Sequence, residues 1–159
     1  MNSRRKTLIL GIGNTLLQDE GAGVHAVRQL AEQAAHRDDI ELMDGGTLSF
    51  SLAGAIEDAE NLIVIDAAQY GGEPGTTRVF LGDQMDSFVG SNRKLSVHEV
   101  SLLDLLMIAR LADRLPRQRA LIGIQPHSID WGETPSPPVA GAIRLACDQA
   151  MQLVAEWQT

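Results

Sequence analysis

The sequence predicts a three-layer α/β/α domain, and two observations carry that prediction. Short apolar runs closed by polar or glycine-rich turns alternate with segments of helical periodicity, and such alternation builds a sheet covered by helices on both faces. The turn-rich stretch at residues 67–77 is too short to hold a crossover helix. A parallel return needs one, so the strand that follows this stretch is expected to run antiparallel to the others.

The first strand is expected at residues 7–12, followed by Gly13-Asn14 and a helical pattern across 21–33. A second apolar segment at 40–43 ends in Asp44-Gly45-Gly46, and a short helix fits 49–57. Leu62, Ile63, Val64 and Ile65 form an apolar strand ending at Asp66, and residues 78–81 form the antiparallel one. Residues 100–111 are apolar on most faces and predict a deeply packed helix, and residues 120–124 predict the fifth strand. In the last helix, 139–157, Val139, Ile143, Ala146, Ala150, Leu153 and Trp157 recur at steps of four and three, one apolar face. No repeat, low-complexity tract or Gly/Ser linker divides the chain, so residues 1–159 read as one domain.

Thirteen basic residues against 21 acidic ones give a net charge of −8, which argues against a nucleic-acid partner. No run of about 20 apolar residues is present, so no membrane span is expected. The N-terminus opens with basic residues and an apolar run, as a signal peptide would. Only Leu8, Ile9 and Leu10 precede the first glycine, too few for its apolar region, and a cytoplasmic monomer is expected. The single cysteine, Cys147, allows no internal disulfide and falls in the last helical segment, where a core position is expected.

In open α/β sheets the ligand crevice lies beyond the carboxyl ends of the strands. Asn14, Asp44, Asp66 and Gln125 each follow a predicted strand, so the fold should gather them at one edge. Gly11-Ile12-Gly13 suggests a dinucleotide loop, but the third glycine of that fingerprint is replaced by Leu16. A close backbone turn explains the glycines without any nucleotide. Asp19 and Glu20 open a helix, where its dipole favours acids; Asp19 fits a cap, and Glu20 either caps or projects into the crevice. Asp66 ends a buried strand, where an acid is costly unless hydrogen-bonded, paired or bound to metal. Asp44 is similar, although Gly45-Gly46 also fits a plain turn.

Of the four histidines, His36 lies in a charged loop and His25 within the first helix, whereas His98 and His127 could both reach the crevice. One histidine with two carboxylates makes a borderline-hard site for a divalent metal with positions open to substrate. There is no Gly-x-Ser-x-Gly elbow and no His-Glu-x-x-His pair.

These motifs together resemble a known family. Residues 11–24, Gly-Ile-Gly-Asn-Thr-Leu-Leu-Gln-Asp-Glu-Gly-Ala-Gly-Val, look like the opening of the hydrogenase-maturation endopeptidases. Asp44-Gly45-Gly46-Thr47, Val64-Ile65-Asp66-Ala67 and Ser96-Val97-His98-Glu99 resemble their later hallmarks, in order along the chain. Ile122-Gly123-Ile124-Gln125-Pro126, followed by Trp131-Gly132, is similar to the branch serving membrane-bound uptake hydrogenases.

The resemblance implies a five-stranded mixed sheet of order 2-1-3-5-4 with strand four antiparallel. It implies removal of a C-terminal peptide from the large-subunit precursor of a [NiFe] hydrogenase after nickel insertion. Nickel is expected to arrive with the precursor and to be met by Glu20, Asp66 and His98. Asp44 is the candidate for positioning substrate or assisting catalysis. A non-catalytic binding module or maturation chaperone is the alternative, distinguishable by whether the precursor loses mass. A nucleotide-dependent enzyme would instead be stabilised by its cofactor.

Overall fold

The computed structural model describes residues 5–46, 48–91 and 100–158. The elements run β1 (Thr7–Ile12), a 3-10 turn (Gln18–Gly21), α1 (Ala22–Gln33), β2 (Ile40–Gly46), α2 (Leu52–Asp58), β3 (Asn61–Ala67), β4 (Thr77–Leu81), α3 (Asp83–Ser91), α4 (Leu102–Leu111), β5 (Gln118–Ile124) and α5 (Pro137–Trp157). The sheet order is β2-β1-β3-β5-β4, and β4 alone is antiparallel to its neighbour, as the short connection before it required.

Alternation along each strand divides the core between two faces. Ile9, Ile63, Ile65 and Ile122 pack with α1 and α5 on one side. Leu8, Leu10, Leu62, Val64 and Leu121 pack on the other with apolar residues of α2, α3 and α4. With both faces covered, β1 is buried throughout and β3 everywhere except Asp66, which is why they read as continuous apolar runs. All six residues of the expected stripe on α5 are buried, as is Cys147. Its thiol donates to the Ala26 carbonyl of α1 at 3.3 Å.

Helix α1 lies against the sheet at closest range over Gly23. A Cβ there would stand 2.0 Å from the Ile65 carbonyl oxygen and 2.5 Å from that of Ile12. Any side chain would push the helix off the strand ends, and with it the turn that precedes it.

Four elements differ from the sequence reading. Helix α3 was not foreseen because only Met85 and Val89 of its nine residues are buried, too thin a stripe to announce a helix. Helix α4 is an outer-layer helix with one buried face, and its Met107 and Leu111 are 52% and 85% exposed. It begins only at Leu102, where Ser101 and Asp104 form a reciprocal capping box. Strands β2 and β3 run on through Asp44 and Asp66 instead of stopping before them. Among the described residues, no helix is long and apolar enough to cross a membrane.

Candidate active site at the carboxyl edge of the sheet

The chain leaving β1 turns back on itself. Gly13 takes a positive φ of 141°, and a Cβ there would meet the Glu20 carbonyl oxygen at 1.9 Å. The glycine therefore makes room for the protein's own 3-10 turn, and the close-turn explanation of the Gly-x-Gly pair holds. Asn14 accepts from the Leu16 amide through its side chain at 2.9 Å, and its carbonyl accepts from Leu17 at 3.1 Å. Gln18 then adopts a left-handed φ of 46°, uncommon for a residue with a side chain.

Several bonds hold that strained residue. Its amide donates to the Gly132 carbonyl at 2.7 Å, and its side-chain oxygen accepts from the Ser128 hydroxyl. The Gly132 amide donates back to Leu16 at 2.8 Å. Asp19, next along, is fully buried and binds across to the same distant loop. Its Oδ2 accepts from the His127 and Ser128 amides at 2.9 and 2.8 Å and from the Ser136 hydroxyl at 2.7 Å. Its Oδ1 accepts from the Ser136 amide at 2.7 Å.

Burial works to raise the Asp19 pKa, but hydrogen bonds from Ser128, Ser136 and His127 outweigh it and leave the carboxyl below its ordinary value. The expectation that Asp19 caps helix α1 is therefore corrected. Neither the 3-10 turn nor α1 has a side-chain N-cap bond. Asp19 instead fastens the turn to residues 127–136, and nothing local in the sequence pointed to partners so far along the chain.

This frame fixes where Glu20 stands. Glu20 and Asp66 both line a cleft of about 610 Å³ beyond the ends of β1 and β3. Asp66 shares the strand face of Leu62 and Val64, so its side chain projects to the side of α2, α3 and α4. Phe88 and Val89 of α3, Leu102 of α4 and Leu121 of β5 supply apolar wall, and Pro126 and Ile129 close the side nearest Asp19's loop. A mostly apolar hollow with a few convergent polar groups is the usual form of a ligand site.

His98 lies outside the described residues; Val100 and Ser101, just after it in the chain, line the cleft. Among the described residues no group of three or more His, Cys, Asp or Glu side chains is gathered tightly enough to hold a metal ion. Two carboxylates at the described part of the cleft are oxygen donors of a kind that suits a hard-to-borderline divalent ion.

The other candidates separate. Asp44 reaches the same sheet edge but shares the strand face of Ile40 and Leu42, which pack with the α1 and α5 layer. Its carboxylate pairs with Arg28 of α1 at 3.6 Å and accepts from the Gly46 amide at 2.9 Å. Gly46, not Asp44, lines the cleft. Gln125 serves the loop after β3: its oxygen accepts from the Tyr70 and Gly72 amides at 3.0 and 3.3 Å, and its amide nitrogen donates to Gln69 at 2.6 Å. His127 contributes its backbone to Asp19 and leaves its ring exposed. His36 is exposed as expected, and His25 has its Nε2 buried, with burial and then the charge of Arg28 lowering its pKa. Cys147 is remote from the cleft in the α1–α5 core, and burial, then Asp148, pushes its pKa up to about 11.

Fold and cleft together define an α/β/α protein with a two-carboxylate crevice at the carboxyl edge of its sheet, and with a glycine loop filled by its own chain. Comparison with known proteins makes this specific. Residues 24–156 match the model of the hydrogenase maturation protease family. The hydrogenase expression/formation protein HupD of Bradyrhizobium diazoefficiens is 40% identical over 96% of this chain and 79% of its own. The hydrogenase 2 maturation protease of Escherichia coli is 30% identical over 95% and 92%. The solved structure of the hydrogenase maturating endopeptidase HybD from E. coli superposes with a TM-score of 0.84, at 31% identity, covering 95% of this chain and 93% of that one. The chain belongs to the hydrogenase maturation protease family.

Proposed function

We propose that this protein is an endopeptidase that removes the C-terminal extension of a [NiFe] hydrogenase large-subunit precursor once nickel has been inserted. The observation that carries this reading is the convergence of Glu20, from the 3-10 turn that follows β1, and Asp66, from the end of β3, on one cleft at the sheet edge. Both acids line the hollow that an approaching peptide would enter.

The substrate in this reading is the precursor together with the nickel held by its cysteines. Glu20, Asp66 and His98 add oxygen and imidazole donors to that nickel and so dock the cleavage site in the cleft. Nickel's place in the chemistry is to polarise the carbonyl or a water. The chain's own contribution is to hold two carboxylates in a fixed frame against an apolar wall. Asp44, 44% exposed beside the cleft-lining Gly46, is the candidate for positioning the precursor's chain. A cytoplasmic monomer acting on the precursor of an uptake hydrogenase fits the family and the acidic surface.

The test is incubation with nickel-loaded large-subunit precursor followed by intact-mass analysis. Loss of one C-terminal peptide is the expected result. A stable complex with no loss of mass would identify a precursor-binding chaperone instead.

A further inference from the structure

Three large apolar side chains stand in solvent on the lip formed by Asp19's frame. Trp131 is 81% exposed, Ile129 55% and Leu16 49%. They lie on two segments held edge to edge, by the Gln18 amide on the Gly132 carbonyl, the Gly132 amide on the Leu16 carbonyl and a parallel bridge between Leu17 and Gly132. Isolated exposed apolar residues are ordinary on a protein surface, but three on adjoining strips are a patch. None of them serves the core, since neither core cluster includes any of the three.

The patch continues into the cleft. Leu17 and Ile129 line the same hollow as Glu20 and Asp66, so the patch borders the hollow on this side. The lip is also pre-ordered. A buried carboxylate with four hydrogen bonds, and a glutamine held in a left-handed conformation, fix segments that carry exposed apolar groups. Holding a loop in place to expose a tryptophan costs stability and solubility, and it suits a protein contact, where rigid aromatic anchors carry much of the binding energy.

We propose that Leu16, Ile129 and Trp131 form a docking ledge for the folded body of the precursor protein, next to the segment threaded into the cleft. This rests on the protease reading above and adds to it a recognition surface outside the metal-binding residues. Recognition is then shared between the metal in the cleft and an apolar contact on its rim, with Trp131 as the anchor.

The test pairs kinetics with a spectroscopic probe. Trp131→Ala should raise KM for the nickel-loaded precursor about tenfold while kcat changes less than twofold. Leu111→Ala, which removes an equally exposed leucine at the far end of α4, serves as the control and should change neither. The chain has only two tryptophans, so protease labelled with 5-fluorotryptophan should give two fluorine signals. Unlabelled precursor should move the Trp131 signal and leave that of the buried Trp157 in place. An unchanged KM in Trp131→Ala, or an unmoved Trp131 signal at saturating precursor, overturns the ledge. So does a Trp131 signal that shifts with protease concentration alone, which would assign the patch to a second copy of this chain. Failure of the wild type to shorten any precursor would instead overturn the protease reading, and the fluorine signal would then decide the ledge by itself.

Discussion

Asp19 takes two hydrogen bonds from Ser136, one from its amide and one from its hydroxyl, both at 2.7 Å and across 117 residues of chain. Ser136 is also the residue before α5, so this contact joins the start of the longest helix to the turn that carries Glu20. The site geometry therefore depends on a carboxylate that does not line the cleft.

Asp19→Asn is expected to lower stability by about 2–4 kcal/mol, because buried hydrogen bonds to a charged acceptor are strong and expensive to lose. Both Asp19 oxygens accept from backbone amides, so either orientation of an asparagine turns its own N–H group against another donor. Ser136→Ala removes only the hydroxyl bond and should cost about 1 kcal/mol. Urea unfolding of the two variants checks the ranking. Equal losses would mean that the backbone donors contribute nothing.

Cys147 supplies the pH prediction. Its pKa is raised from 9.0 to about 11 by burial and by Asp148, so the folded state holds the thiol proton more tightly than the unfolded chain. The stability this represents is fully present below pH 9 and is lost as pH rises through about 11. At 1.36 kcal/mol per unit the loss is at most about 2–3 kcal/mol. Cys147→Ala should flatten that alkaline limb, lose about 1 kcal/mol at neutral pH for the smaller side chain, and still process precursor. Unfolding measured from pH 8 to 11 and a processing assay check the two halves. A folded Cys147→Ala that cannot cleave would bring the thiol back into the chemistry.

How much of this was readable beforehand follows from distance along the chain. The strands, the buried stripe of α5 and the antiparallel β4 are local patterns, set by periodicity and by one connection length. Asp66 was readable as an acid at the end of an apolar run, and Glu20 as an acid opening a helix that either caps it or projects into the crevice. Asp19 was not, because its partners lie 108 to 117 residues away and are mostly backbone amides, which no side-chain pattern announces. For Asp44 the sheet edge was readable, but the sheet face was not. Strand β2 runs to Gly46, and within it Asp44 alternates with Met43 onto the face of Ile40 and Leu42, toward Arg28. A site residue's sheet edge can be read from sequence more readily than its sheet face, since one residue of register reverses the face.

If Glu20, Asp66 and His98 ligate the metal, Glu20→Gln, Asp66→Asn and His98→Ala should each reduce processing by at least about 100-fold, the upper end of what losing an outer-shell partner of a metal ligand costs. The first two variants keep shape and remove charge, so the circular dichroism spectrum should match that of the wild type. Cleavage at near wild-type rate by any of the three would remove that residue from the ligand set. Loss of the folded spectrum would reassign it to structure.

Cleavage should depend on nickel already in the precursor and not on metal supplied to the protease. Among the described residues, no cluster complete enough to bind a metal ion exists; the cleft offers two carboxylates, to which His98 would add a third donor. Two carboxylates and one imidazole are expected to bind a divalent ion weakly by themselves. In the proposed reading, thiolates of the precursor would complete the coordination, so that the substrate carries the ion to a half-built site and binding reports that insertion is finished. Three reactions separate this from an ordinary metalloprotease: nickel-loaded precursor, nickel-free precursor, and nickel-free precursor with protease soaked in nickel. Only the first should lose its peptide, as read by intact mass. Equal processing of the first two would end the nickel requirement, and processing in the third alone of the nickel-free pair would place the functional metal on the protease.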